Sequence, residues 1–365
     1  MATRIDPKRI NLGLQGGGSH GALAWGVIDR LLEDERIRIA EVSGTSAGAM
    51  NAVILADGLE RGGRDGARAA LRRYWRAISD AARFSPMQRS AYDRLFGNYS
   101  LDFSPGYMAM ESLSRIFSPY DLNPFGMNPL RDLVAAQVDF GAVNASKQIR
   151  VHVTATNVRT GMARTFATGE LSADVIMASA CLPQLYQAVE INGEFYWDGG
   201  FAANPALLPL VESETVPDVL IVQLNPVRRH EVPRTARDIF NRVNEISFNT
   251  SLIKELRTLG LMQRLSALGQ IELAPRYRVF IHMIHGEEDV QDLAASSKLN
   301  AEWDYLEMLF SRGRVWADQF LNQHFDDLGA RSSFVLEDMF NDGELPPAIK
   351  PIDPTSRRRR RSIRR

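Results

Sequence analysis

The sequence predicts an α/β fold of three layers, with a mostly parallel central sheet and helices on both faces. Short apolar or alternating runs at residues 9–14, 37–43, 149–156, 218–224 and 278–285 read as strands, and runs of helical period separate them. Strands alternating with helices imply a parallel sheet covered on both sides. In addition, a glycine loop, a glycine-flanked serine and an aspartate each follow a strand directly, where open α/β sheets gather their working groups. At 365 residues, 45% hydrophobic and 24% charged, the chain has an ordinary globular composition and length enough for a full core.

The elements justify themselves in order. Residues 9–14 alternate as a first strand, and Gln15-Gly16-Gly17-Gly18-Ser19-His20-Gly21 follows. Leu23, Val27, Ile28, Leu31 and Leu32 then recur at helical spacing. Residues 37–43 form a second strand, and the run after Ala47 is a helix broken by the glycines of 58–66, with another helix from 67 to 78. Residues 84–130 are an insertion rich in aromatics and punctuated by Pro86, Pro105, Pro119 and Pro124. Its aromatics are expected either to line an acyl-chain pocket as a cap or to pack on the sheet as extra core. After the strand at 149–156, residues 171–180 read as a helix, and Asn192-Gly193 between two short β-forming runs signals a hairpin. That hairpin ends at Asp198-Gly199-Gly200. Later helices are expected over 236–268 and 299–321. The resulting organisation is a domain at 10–212, an α/β extension at 213–340 packed on it, and a disordered tail at 341–365.

Charge and cysteine usage narrow the setting. The net charge is −1, yet seven arginines crowd the last nine residues (Arg357 to Arg361, Arg364 and Arg365), leaving an acidic body with a basic tail. Such a tail suits peripheral contact with an anionic membrane, whereas nothing resembles a nucleic-acid-binding module. The single cysteine, Cys181, excludes an internal disulfide and a cysteine-based zinc site, which fits a reduced, cytoplasmic setting at or near the inner membrane surface. Residues 1–9 are polar and lead into a strand, so no signal peptide is expected, and no run approaches the length of a membrane span.

Gly44-Thr45-Ser46-Ala47-Gly48 is the chemical centre of the chain. A serine between strand and helix sits on a sharp turn that exposes its hydroxyl, and a Cβ at position 44 or 48 would strike neighbouring backbone. The helix that follows points its N-terminal dipole at the same spot. The loop Gly16-x-Gly18-x-x-Gly21 has two readings. With Glu41 near the end of the second strand it matches a dinucleotide fingerprint, and hence an oxidoreductase. Alternatively its consecutive glycines bring backbone N–H groups against a developing oxyanion. Six histidines (20, 152, 230, 282, 285 and 324) are candidate bases for the serine, but Asp198, at a strand end and followed by two glycines, is the better placed. A third reading is a lipid-binding protein without catalysis.

The motifs Gly16-Gly17-Gly18-Ser19-His20-Gly21, Gly44-Thr45-Ser46-Ala47-Gly48 and Asp198-Gly199-Gly200, in that order, resemble those of patatin-like phospholipases. Asn204-Pro205, Ala178-Ser179 and Pro183 also look like the family, and the resemblance covers roughly residues 11–210. It implies the patatin-like fold and a dyad of Ser46 and Asp198, with Gly16, Gly17 and Gly18 supplying oxyanion donors. Gly21, Gly44, Gly48, Gly199 and Gly200 complete the motifs. It implies hydrolysis of acyl esters of lipids without metal or cofactor. One departure stands out: the family commonly carries Arg or Lys where this chain has His20, which makes a fixed positive charge absent or pH-dependent.

Overall fold

The computed structural model describes residues 6–213, 216–229, 231–286, 290 and 293–334. The basic tail at 357–365, the expected disordered segment at 341–365 and His230 lie outside them. Among the described residues an eight-stranded sheet runs in the order β5-β6-β3-β2-β1-β7-β8, with β4 also paired to β3. The strands are β1 (Lys8–Leu14), β2 (Ile37–Gly44), β3 (Arg150–Asn157), β4 (Ala163–Ala167), β5 (Val189–Ile191), β6 (Glu194–Asp198), β7 (Asp218–Val222) and β8 (Phe280–Ile284). The pairings β1 with β2, β1 with β7, β2 with β3 and β7 with β8 are parallel. The remainder, around β3 to β6, is antiparallel. The expected hairpin is there, with Asn192 and Gly193 both at positive φ (52° and 80°), as a two-residue turn matched to strand twist requires. β4, with its exposed Ala163 and Arg164, has no apolar alternation to betray it in the sequence.

Side chains of the central strands alternate between two cores. On one face Leu12 and Leu14 of β1 and Leu220 and Val222 of β7 join α1 (Gly21–Glu33), α2 (Ala47–Ala82), α3 (Ala173–Ser179) and α6 (Trp303–His324). Trp25 and Phe310 meet there with ring centroids 4.1 Å apart. On the other face Val219 and Ile221 pack with α4 (Leu208–Val211) and with Leu252, Leu256 and Leu259 of α5 (Ala236–Ala267). This is the three-layer arrangement expected from the sequence. The expected glycine break in α2 falls at Gly62 and Gly63, whose non-helical backbone divides it into two helical segments. The segment after α4 contributes two strands to the shared sheet and a helix to each face. No helix among the described residues is long and apolar enough to cross a membrane.

The insertion folds as short helices, Ala91–Leu95, Pro105–Leu113 and Pro119–Leu122, and runs at its end into Pro129–Gln137, after which comes Phe140–Ala145. Three of them start on Ser104-Pro105, Ser118-Pro119 and Asn128-Pro129, a capping residue followed by proline at the first helical position. Neither expectation for its aromatics describes the outcome. Tyr107 is buried, but Phe84 is 91% exposed, Phe125 87%, and Tyr92, Phe96, Phe103, Phe117 and Tyr120 are also exposed. A composition can announce apolar side chains without announcing a surface to receive them.

Candidate active site

The serine turn is set by backbone crowding. Ser46 has φ 55°, ψ −122°, a left-handed conformation at the junction of β2 and α2. Its amide donates to Ser179 Oγ at 2.9 Å, and that hydroxyl donates to the Thr154 carbonyl at 2.6 Å, so α3 and β3 hold the turn together. A Cβ at Gly44 would lie 2.4 Å from the Gly48 carbonyl oxygen, and one at Gly48 would lie 2.3 Å from that of Leu14. At Gly16 it would lie 2.7 Å from the Ser46 Cβ, so the glycine loop passes as near the serine as a bare backbone allows.

Strand register brings the aspartate to the same height. Gly44 pairs with Val153 across β2 and β3, and Ala155 pairs with Asp198 across β3 and β6. The hairpin overhangs the carboxyl end of β3 and descends antiparallel to end level with Ser46. The Asp198 amide donates to the Cys181 carbonyl at 2.7 Å, and its carboxylate accepts from Gly200 N–H at 2.7 Å. Burial pushes its pKa up to about 7. The Gly200 N–H and the Ser46 hydroxyl, which lies against the carboxylate, both favour ionisation and oppose that rise.

Ser46, Asp198, Gly16, Gly17 and Gly18 line one cavity of about 280 Å³. Its walls are mainly apolar, with Met50, Tyr74, Ile78, Leu182, Leu185 and Phe248 among them. None of the nine insertion aromatics lines it; Leu130 is what the insertion contributes. Of the three loop glycines, Gly16 departs from expectation: its N–H donates to Asn204 Oδ1 at 2.6 Å and is already spent. Gly17 and Gly18 line the cavity beside it.

Four of the described histidines, His20, His152, His282 and His324, are engaged elsewhere. His152 pairs with Glu41 at 2.9 Å, His282 with Asp218 at 3.0 Å and His324 with Asp327 at 2.9 Å. His20 Nε2 meets Ser297 Oγ at 2.9 Å. Because that hydroxyl donates to the Ala294 carbonyl and accepts from Tyr305, His20 is the donor, and its buried Nδ1 has no partner. Burial, helped by Lys298 and Arg229, holds its pKa well below the ordinary value, so His20 is neutral. Glu41 accepts from His152 and, at 2.8 Å, from Ser213, so both its carboxylate oxygens are engaged within the fold. A Cβ at Gly18 would lie 2.3 Å from the Lys298 carbonyl oxygen, so that side of the loop is filled by the chain itself. These contacts count against the dinucleotide reading.

Several contributors carry little sequence signal. Gln15 Oε1 accepts from the amides of Leu224 and Asn225, and Asn225 Nδ2 donates to the Gly16 carbonyl at 2.8 Å. Asn204 and Ser179 stand in motifs noticed for their resemblance alone, and their positioning contacts emerge only in three dimensions.

A patatin-like phospholipase family model matches residues 12–211. The chain belongs to that family, one of lipid acyl hydrolases. Among solved structures it is similar to VipD from Legionella pneumophila, at 16% identity and a TM-score of 0.43, covering 87% of this chain and 67% of that one. It is also similar to full-length ExoU in complex with SpcU, from the type III secretion system of Pseudomonas aeruginosa, at 15% identity and a TM-score of 0.31, covering 86% of this chain. The chain spans about half the length of ExoU, 53%. No curated protein matches the sequence.

Proposed function

We propose that the protein hydrolyses acyl esters of lipids through a Ser46–Asp198 dyad. The observation that carries the reading is a serine and a buried carboxylate lining one apolar-walled cavity. An ordinary aspartate is too weak a base for a hydroxyl; one raised to about 7 holds a proton well enough to take it and, near neutrality, is still ionised in a large fraction of molecules.

Ser46 Oγ attacks the ester carbonyl as its proton passes to Asp198. The carbonyl oxygen becomes an oxyanion held by the Gly17 and Gly18 N–H groups and by the N-terminus of α2. The C–O bond then breaks, and the alcohol leaves with the proton from Asp198. Water attacks the acyl-serine while Asp198 takes its proton, and collapse releases a fatty acid and restores Ser46 Oγ–H. The apolar walls suit the acyl chain.

The test is labelling by a serine-directed fluorophosphonate, read by mass on the Ser46 peptide, with turnover of a chromogenic short-chain ester. Label at Ser46, and a loss of at least about 10⁴-fold in turnover in Ser46→Ala with the fold kept, is the expected outcome. An unlabelled protein would leave a lipid-binding role without catalysis. Peripheral contact with anionic membrane through Arg357–Arg365 belongs to the same reading; unchanged flotation with anionic vesicles after removal of residues 357–365 would remove it.

A further inference from the structure

The 3₁₀ turn Ala295–Leu299 reaches the cavity from far outside the matched family region. It seats on the glycine loop, its Lys298 carbonyl filling the space that a Cβ at Gly18 would need. Neighbouring residues pin it on several sides. Ser297 contacts His20 and Tyr305, Ser296 Oγ accepts from the Leu101 amide at 3.0 Å, and Asn300 donates to the Tyr99 carbonyl at 3.0 Å. Glu302 Oε2 accepts from Nε and Nη2 of Arg89 in the insertion, at 2.9 and 2.7 Å. Lys298 is therefore held in place and is not a side chain trailing in solvent.

Lys298 and Asn225 line the same cavity as Ser46. The Lys298 ammonium donates to Asn225 Oδ1 at 2.7 Å, and among the described residues no other acceptor and no carboxylate is in bonding contact with it. The carboxylate whose field it feels, Glu245, is already claimed by Arg229 and by Arg242. His20 adds no charge, being neutral and turned to Ser297. Burial holds the Lys298 pKa below its ordinary value, and an ammonium whose one partner among the described residues is a neutral amide has a solvation cost that a fixed negative oxygen would relieve.

We propose that Lys298 is the anion-recognition group of this cavity, binding a phosphate oxygen of a glycerophospholipid while the scissile ester lies between Ser46 and the glycine loop. The cation that the loop lacks at His20 is then supplied from residue 298, and the cavity prefers phospholipid to neutral acylglycerol. This rests on the hydrolase reading above.

The experiment compares kcat/KM for a phosphatidylcholine and for the diacylglycerol of the same acyl chains, in the same mixed micelles, with a chromogenic ester as control. The enzymes are wild type, Lys298→Met and Lys298→Arg. Wild type should favour the phospholipid. Lys298→Met should lose about 10- to 100-fold on the phospholipid alone, while the neutral substrates stay within about threefold and Lys298→Arg keeps part of the preference. Equal loss on all three substrates would mean that Lys298 serves the oxyanion or holds the loop, and would overturn the proposal. Inorganic phosphate altering ester turnover, with no discrimination between the two lipids, would assign the cation to free phosphate and overturn it too. Should Lys298→Met fail to fold, equal wild-type kcat/KM for the two lipids is the overturning result. Absent ester turnover with no fluorophosphonate label would instead sink the hydrolase reading, and this proposal with it.

Discussion

Around Ser46 the backbone is packed to the point where single methyl groups have no room, whereas between Phe84 and Met127 the chain leaves many of its largest apolar side chains in solvent. Both regions border the same cavity, through Gly16 to Gly18 on one side and Leu130 on the other. They are built on opposite terms. The serine turn is over-determined: a strand end, a helix start, the Ser179 hydroxyl and the glycine loop each constrain it. The insertion is a string of capped short helices held to the body by a few polar clasps such as Arg89 with Glu302. Substitutions in the first region should change chemistry, and those in the second should change little that a soluble substrate can report.

The largest expected effect tests the carboxylate. Asp198→Asn should lower ester turnover by about 10³- to 10⁴-fold, as loss of a base acting with a nucleophile does. A variant within tenfold of wild type would return the role of base to a histidine. In wild type, kcat/KM should rise with pH through about 7 as Asp198 ionises, then level off. Stability should run the other way. The folded protein binds this proton more tightly than the unfolded chain, so the group's contribution is complete below its ordinary 3.8 and is lost as pH rises through about 7. Asp198→Asn should therefore melt higher than wild type at pH 8 to 9, with the gap closing on acidification; a constant gap would contradict the assigned shift.

Next comes the loop. Gly16→Ala places a methyl 2.7 Å from the Ser46 Cβ and 2.9 Å from the Thr45 carbonyl oxygen, and neither can yield without moving the turn. Turnover should fall by about 10²-fold, the scale of a misplaced nucleophile, measured on protein whose circular dichroism is unchanged. Ser179→Ala strips the acceptor from the Ser46 amide and should cost about tenfold in kcat with KM steady, since it positions the nucleophile without touching substrate. At the small end, Phe84→Ser and Phe125→Ser should each change unfolding free energy by less than about 0.5 kcal/mol and leave turnover of a soluble ester unaltered. A large loss of stability from either would show that the insertion packs more tightly than its exposure indicates.

The same contrast explains what the sequence disclosed. The glycine, serine and aspartate motifs were readable because each marks a place where backbone geometry permits few residue types, and the positions of the parallel strands followed from apolar periodicity. Lys298 and Asn225 were not readable: a lysine in a short turn looks like any surface lysine until the fold carries it to the glycine loop. Gly16 looked interchangeable with Gly17 and Gly18 because sequence does not reveal that Asn204 takes its N–H. The insertion misled for the reverse reason, since nine aromatics suggested burial and the fold provides few surfaces to bury them against.

The position of β1 has a consequence for anyone wishing to study the family region alone. β1 is hydrogen-bonded to β2 on one flank and to β7 on the other, while the family match stops at residue 211. A polypeptide ending there would leave β1 as an unpaired edge strand, a ready template for self-association. It would also lack Phe248, Asn225 and Lys298 from the walls around Ser46. Truncation at that boundary should yield insoluble protein, and the catalytic motifs in it would be intact in sequence and homeless in space.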